Sequence, residues 1–191
     1  MKKILSLVAA VMLFGATSMA QASFGVGYMT PNHISTDKAL TGFYAGFDYN
    51  VHLSDNLGIA PGVYCSYGTA TNELILNQTQ TFQELYVGVP VNLNFGLKLA
   101  PDFTLNIYAG PTVSYGVFSK YVGSVTGTTS LYGENSNYKP LDVLIGGGVA
   151  FDWAEMFRVN IGYNYGILDR DATNNGTFNR SYLHMGVAYL F

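Results

Sequence analysis

From Leu85 onward the chain alternates with a period of two. Leu85, Val87, Val89, Val91, Leu93, Phe95, Leu97 and Leu99 share one face, and Glu84, Tyr86, Gly88, Pro90, Asn92, Asn94, Gly96 and Lys98 share the other. The same alternation recurs at Phe157 to Ile167, with Val159, Ile161, Tyr163 and Tyr165 opposite Arg158, Asn160, Gly162 and Asn164. It recurs again at Gly42 to Leu53, Asn56 to Gly68, Phe103 to Val117 and Leu141 to Trp153. Successive strand residues point to opposite faces, so each segment predicts a strand with one apolar and one polar side. The segments are long, about 11 residues, the length a tilted strand needs to cross a bilayer.

Which face meets solvent decides the class. In a water-soluble sandwich or lipocalin the apolar face points inward, and the outer face is rich in Lys, Glu and Arg. Here the apolar faces of the six strands carry no charge, while the polar faces hold mostly Gly, Asn, Ser, Thr and Tyr. That composition suits a crowded polar interior, and apolar-out with polar-in is the pattern of a transmembrane barrel.

The connections sharpen this reading. Leu53-Ser-Asp-Asn-Leu57, Leu99-Ala-Pro-Asp-Phe103 and Trp153-Ala-Glu-Met-Phe157 share one mould, three turn residues between two apolar ones. Between them fall longer polar stretches at Thr30 to Thr41, Thr69 to Thr81, Ser119 to Lys139 and Asp169 to Arg180, read as solvated loops. Short and long connections alternate, as periplasmic turns and outer loops do in outer-membrane barrels. A first strand near Phe24 to Met29 and a last at Ser181 to Phe191 bring the count to eight. The expected fold is all-β, an eight-stranded antiparallel up-and-down transmembrane β-barrel, because closure satisfies every backbone group in lipid. Pro61, Pro90 and Pro111 fall within strands and each removes a donor, so bulges are expected there.

Composition agrees. Only 11% of residues are charged, against a typical share of about 25%. Lys2 and Lys3, the apolar run from Ile4 to Gly15 and Ala20-Gln21-Ala22 have the form of a secretory signal peptide. Residues 1–22 are expected to be removed, leaving a barrel domain at residues 23–191. Losing two of nine basic residues moves the net charge from −3 to −5, which argues against nucleic-acid binding. Cys65 stands alone, so no disulfide is expected within the chain.

Several segments resemble the small eight-stranded outer-membrane β-barrel proteins, the porin-family barrels of OmpX-like size. They are Leu85-Tyr-Val-Gly-Val-Pro-Val-Asn-Leu93, Ala109-Gly-Pro111, Asp142 with Ile145-Gly-Gly-Gly-Val149, Gly162-Tyr-Asn-Tyr-Gly166 and the closing strand. The resemblance spans nearly all of residues 23–191. It implies the outer membrane of a Gram-negative bacterium. It also implies an assembly signal at His184, Gly186, Tyr189 and Phe191, read by the barrel-assembly machinery. It implies no particular activity.

The candidate chemistry is sparse. An eight-stranded barrel is just wide enough for its own side chains, and Tyr44, Tyr64, Tyr86, Tyr108 and Tyr182 face inward by parity. So do the barrel-interior polar and charged residues Asp48, His52, Glu84, Lys98, Asp142, Asp152, Arg158 and His184. Asp152 and Arg158 are placed across the last short turn from each other, as a charge pair or a gate. His33 with Ser35 and Asp37 is the one grouping in which a nucleophile has a base nearby. Cys65 is expected to face lipid. Asp169-Arg170-Asp171 lacks the Gly and Glu of an EF-hand loop. No catalytic residue, metal site or cofactor is assigned. The reading is a monomeric barrel in outer-membrane lipid with a structural or surface-interaction role, binding a ligand through its outer loops. The alternatives are a lipid-modifying barrel enzyme of the outer leaflet and a narrow small-solute channel.

Overall fold

A computed structural model describes residues 20–32, 39–73, 79–123, 127–133, 138–173 and 177–191. The strands are β1 (Ala20–Pro31), β2 (Thr41–His52), β3 (Leu57–Glu73), β4 (Thr79–Ala100), β5 (Phe103–Gly123), β6 (Gly127–Ser130), β7 (Leu141–Trp153), β8 (Phe157–Gly166) and β9 (Ser181–Leu190). Each barrel strand pairs antiparallel with its neighbours, and β1 pairs with β9 from Ser23↔Leu190 to Pro31↔Tyr182, which shuts the sheet. Eight strands form the wall. The short β6 is an addition, pairing only with the outer end of β5, from Lys120↔Ser130 to Gly123↔Gly127.

β1 is longer than the sequence pattern predicts. It begins at Ala20, and Ala20, Gln21 and Ala22 pair with Val51, Asn50 and Tyr49. Its glycines blur the alternation without weakening the backbone ladder. Gly27 sits beneath the Tyr44 ring, where a side chain would collide. The same exchange of glycine for ring places Tyr64 over Gly88 and Tyr108 over Gly148 and Gly162. Inward glycines thus make room for inward tyrosines.

The prolines do not sit at bulges. The register shifts lie at Leu85/Tyr86 and Lys98/Ala100. At the prolines the register is kept and two pairs are missing from one seam. The β2–β3 pairing jumps from Asp48↔Gly62 to Val51↔Ile59, beside Pro61. The β3–β4 pairing jumps from Pro61↔Val91 to Tyr64↔Gly88, beside Pro90, and the β4–β5 pairing from Pro90↔Thr112 to Leu93↔Ala109, beside Pro111. A proline removes one N–H without adding a residue, so the ladder opens and then resumes in phase.

Outside, the wall is apolar. Phe43, Leu93, Val113, Ile145, Val159 and Val187 are all exposed, as are Leu183, Met185, Tyr189 and Phe191 of the closing strand. Cys65 is exposed on this face too. At the short-turn end Phe103, Trp153, Phe157, Tyr189, Phe191 and Phe47 form a continuous ribbon, with successive ring centroids 6.4, 6.3, 5.7, 6.1 and 6.2 Å apart. Aromatic girdles of this kind mark the interface of a membrane with water.

Candidate functional site

The polar interior is organised in tiers along the barrel axis. At the short-turn end a cavity of about 560 Å³ opens outward, with His52 and Lys98 on its exposed rim and Asn50, Asn94 and Asn106 deeper in. Its floor is a charge pair. Arg158 Nε and Nη2 donate to Asp152 Oδ1 and Oδ2 at 2.6 and 2.8 Å, a bidentate fork. Asn106 Nδ2 also donates to Asp152 Oδ2 at 2.8 Å, and Arg158 Nη1 lies 4.0 Å from Asp48 Oδ1. Asp48 in turn accepts a 2.6 Å bond from Ser23 Oγ.

The middle tier is built from rings and carboxamides. His184 uses both ring nitrogens, Nε2 with Tyr108 Oη at 3.1 Å and Nδ1 with Asn164 Nδ2 at 3.3 Å. Its ring meets Tyr44 edge-on, centroids 5.9 Å apart. Asn160 Nδ2 donates to Tyr44 Oη at 3.3 Å, and the Tyr64 and Tyr182 hydroxyls meet at 3.1 Å. A histidine held on both sides is a structural member of this network.

The outer tier corrects the loop assignment above. Arg170 and Arg180, placed by sequence in a solvated loop, are fully buried and close the outer end of the lumen. Arg180 Nη2 donates to Glu84 Oε1 at 3.0 Å. Arg170 Nη1 donates to Tyr86 Oη at 2.6 Å and lies 3.8 Å from Asp142 Oδ2. Arg170 also donates from Nε to the Lys139 carbonyl at 2.9 Å and from Nη2 to Tyr132 Oη at 3.1 Å. It therefore fastens two outer segments, one carrying Tyr132 and Lys139 and its own, onto β4. Backbone bonds join the same segments: Lys139 N–H to the Arg170 carbonyl and Arg170 N–H to the Phe178 carbonyl, both 2.9 Å. Asp169 organises the turn that presents Arg170. Its Oδ1 accepts the N–H groups of Phe178 at 2.9 Å and Asp171 at 3.0 Å, and these bonds hold its carboxyl below the usual carboxylate range.

The inward residues read from parity are found in these tiers. Glu84 and Asp142 meet the two outer arginines, Asp48 and Asp152 meet Arg158, and His52 and Lys98 sit at the rim. Arg180 carried a usable signal, because it precedes Ser181 with the inward parity of Tyr182 and His184. Arg170 carried none, because its segment is irregular. His33, Ser35 and Asp37 lie outside the described residues. Among the described residues no cluster of His, Cys, Asp and Glu is arranged to hold a metal ion.

An apolar outer wall, a closed eight-strand ladder and a polar, charge-paired lumen define an integral outer-membrane β-barrel. The sequence matches the outer membrane protein beta-barrel domain family over residues 8–171, and the chain belongs to that family. Its place is the outer membrane of a Gram-negative bacterium. A search of curated proteins finds no match.

Solved structures share the fold. Ail of Yersinia pestis, solved with the heparin analogue sucrose octasulfate, is 17% identical over 90% of this chain and 99% of its own, with a TM-score of 0.54. Neisserial surface protein A is 14% identical over 90% and 97%, with a TM-score of 0.53. A major outer membrane protein of Thermus thermophilus is 12% identical over 90% and 99%, with a TM-score of 0.52. At these identities the likeness is one of fold.

Proposed function

We propose that this barrel is a surface-interaction protein whose lumen serves as a rigid, charge-paired scaffold. One observation carries the reading. β3, β4 and β5 continue past the closed outer end of the lumen and, with β6, form a four-stranded sheet beyond it, from Thr69↔Gln83 to Glu73↔Thr79 and from Gln83↔Lys120 to Gln80↔Gly123. β4 has 22 residues, about twice what a crossing requires. This extension is ordered from within: Phe82 is buried against Tyr121, centroids 5.4 Å apart, and Thr71 and Thr81 join hydroxyls at 3.1 Å. Its surface is rich in threonine, serine and glutamine, and Gly127–Ser130 is exposed along its length. Loops and extensions on a rigid scaffold are where recognition resides.

The protein inserts as a monomer through the barrel-assembly machinery, which reads His184, Gly186, Tyr189 and Phe191, and it carries no catalytic centre. The test compares cells displaying the full chain with cells displaying one in which residues 70–82 and 121–129 are each replaced by a two-residue turn. The trimmed barrel is expected in the membrane at normal yield with reduced attachment to surfaces and neighbouring cells. Equal attachment overturns the interaction role. Turnover of lipopolysaccharide by pure protein, abolished by His33→Ala, overturns the non-catalytic reading.

A further inference from the structure

The closure at the outer end is a stack in which rings and guanidinium groups alternate. Arg170 Cζ lies 4.2 Å from the Tyr138 ring centroid and 5.0 Å from that of Tyr86. Arg180 Cζ lies 4.1 Å from the Tyr86 centroid and 5.0 Å from that of Tyr182. Cation–π contacts of this length are attractive, more so when desolvated. The upper members, Tyr138 and Arg170, come from the outer segments, while Tyr86 and Tyr182 belong to the wall and Arg180 directly precedes β9. Below the stack the lumen holds space. The 560 Å³ mouth cavity is followed by one of about 130 Å³, and the two share Asn94, Asn106 and Arg158. A third of about 100 Å³ shares Tyr44, Tyr108 and His184 with the second and ends on Tyr64 and Tyr182. Each has room for more than one water and is lined in part by polar side chains, the condition under which a cavity of that size hydrates.

We propose that the stack is the closed gate of a small-ion conduit, and that it opens when the segments carrying Tyr138 and Arg170 are drawn away. This adds an activity to the surface role and does not depend on it. The flank of the stack decides whether a vacated gate would conduct. Ser66 is paired with Tyr86 and Ser119 with Glu84. The hydroxyls of both serines and Glu84 Oε2 are buried without a hydrogen-bond partner. A space opened beside such groups takes up water, whereas an apolar space of the same size stays dry. Charge then sets selectivity. Closed, Arg170 and Arg180 balance Glu84 and Asp142. With Arg170 withdrawn, two carboxylates face one guanidinium, and the passage favours cations.

The experiment is planar-bilayer recording of the full-length refolded protein in a KCl gradient, each sample first checked for the faster-running unheated gel band. Wild-type protein is expected to stay closed. Arg170→Ala is expected to show discrete openings, with the reversal potential shifted toward that of K⁺. Adding Asp142→Asn to Arg170→Ala is expected to remove the shift while openings persist. Should Arg170→Ala fail to give the folded band, Tyr138→Ala, which lies off the barrel wall, carries the same expectation of openings. A folded variant of either kind that conducts no more than wild type overturns the proposal. Openings without cation preference in Arg170→Ala overturn the assignment of Glu84 and Asp142.

Discussion

At the scale of single residues, the interior is governed by the cost of leaving a charge unpaired in a low dielectric. Arg180 and Glu84 are both buried and 3.0 Å apart. Removing one partner of such a pair costs about 3–5 kcal/mol, because the survivor stays desolvated. Arg180→Ala is therefore expected to lower the unfolding free energy by about that amount in lipid vesicles, read from urea titration of tryptophan fluorescence. Asp169 offers a test by pH. Its carboxyl titrates below the ordinary value because Phe178 and Asp171 donate to it. A depressed folded value means that its stabilisation is full above the unfolded value of about 3.9 and fades as pH falls through the folded one. The Phe178 and Asp171 amides are expected to exchange faster in that acidic window, and Asp169→Ala to abolish their protection at neutral pH.

The two buried arginines also show how far residue-level reading reaches. Parity placed Asp48, Glu84, Asp142 and Asp152 inside, with Arg158 and Lys98 as the only cations. Lys98 belongs to the exposed rim, so the acids outnumber the bases that can reach them. A low-dielectric interior demands near balance, and Arg170 and Arg180 supply it. Arg180 could have been read by extending the parity of β9 one residue back, whereas Arg170 follows only from three-dimensional contact, because its segment has no strand parity.

At the scale of elements, the gaps beside Pro61, Pro90 and Pro111 fall on three successive seams with the register intact. Pro61→Ala restores an N–H facing Tyr49 without altering the phase of the strands. The new amide is expected to be protected from hydrogen exchange, as measured by NMR in nanodiscs; an exchange rate like that of a loop amide would mean that the seam stays open. The closing strand makes a second prediction. Leu190 pairs with Ser23 at the end of the closing seam, and the Phe191 ring joins the aromatic ribbon between Tyr189 and Phe47. Deleting Phe191 is expected to reduce membrane yield more than any single outer-loop substitution. Equal yield would remove it from the assembly signal.

At the scale of the whole molecule, closure through β1 and β9 leaves no sheet edge in the wall. A closed barrel is expected to migrate faster on an unheated SDS gel than after boiling, and intact-mass measurement of the membrane form is expected to give a chain beginning at Ser23. With that start, the last β1–β9 pair toward the turn end is Ser23↔Leu190.

Alternation alone determined the barrel, because a period of two places every residue on a face and lipid admits only an apolar one outside. Six long strands, the strict succession of short and long connections and the inward tyrosines followed directly from it. The full length of β1 was hidden, because Ala20-Gln21-Ala22 reads as the end of a signal peptide and Thr30-Pro31 as the start of a loop. The tertiary structure alone decided how the lumen closes. Arg170 and Tyr138 lie in irregular segments without periodicity, and what buries them is the chain folding back over the barrel mouth, where Tyr86, Arg180, Glu84 and Asp142 wait as partners for charge and ring.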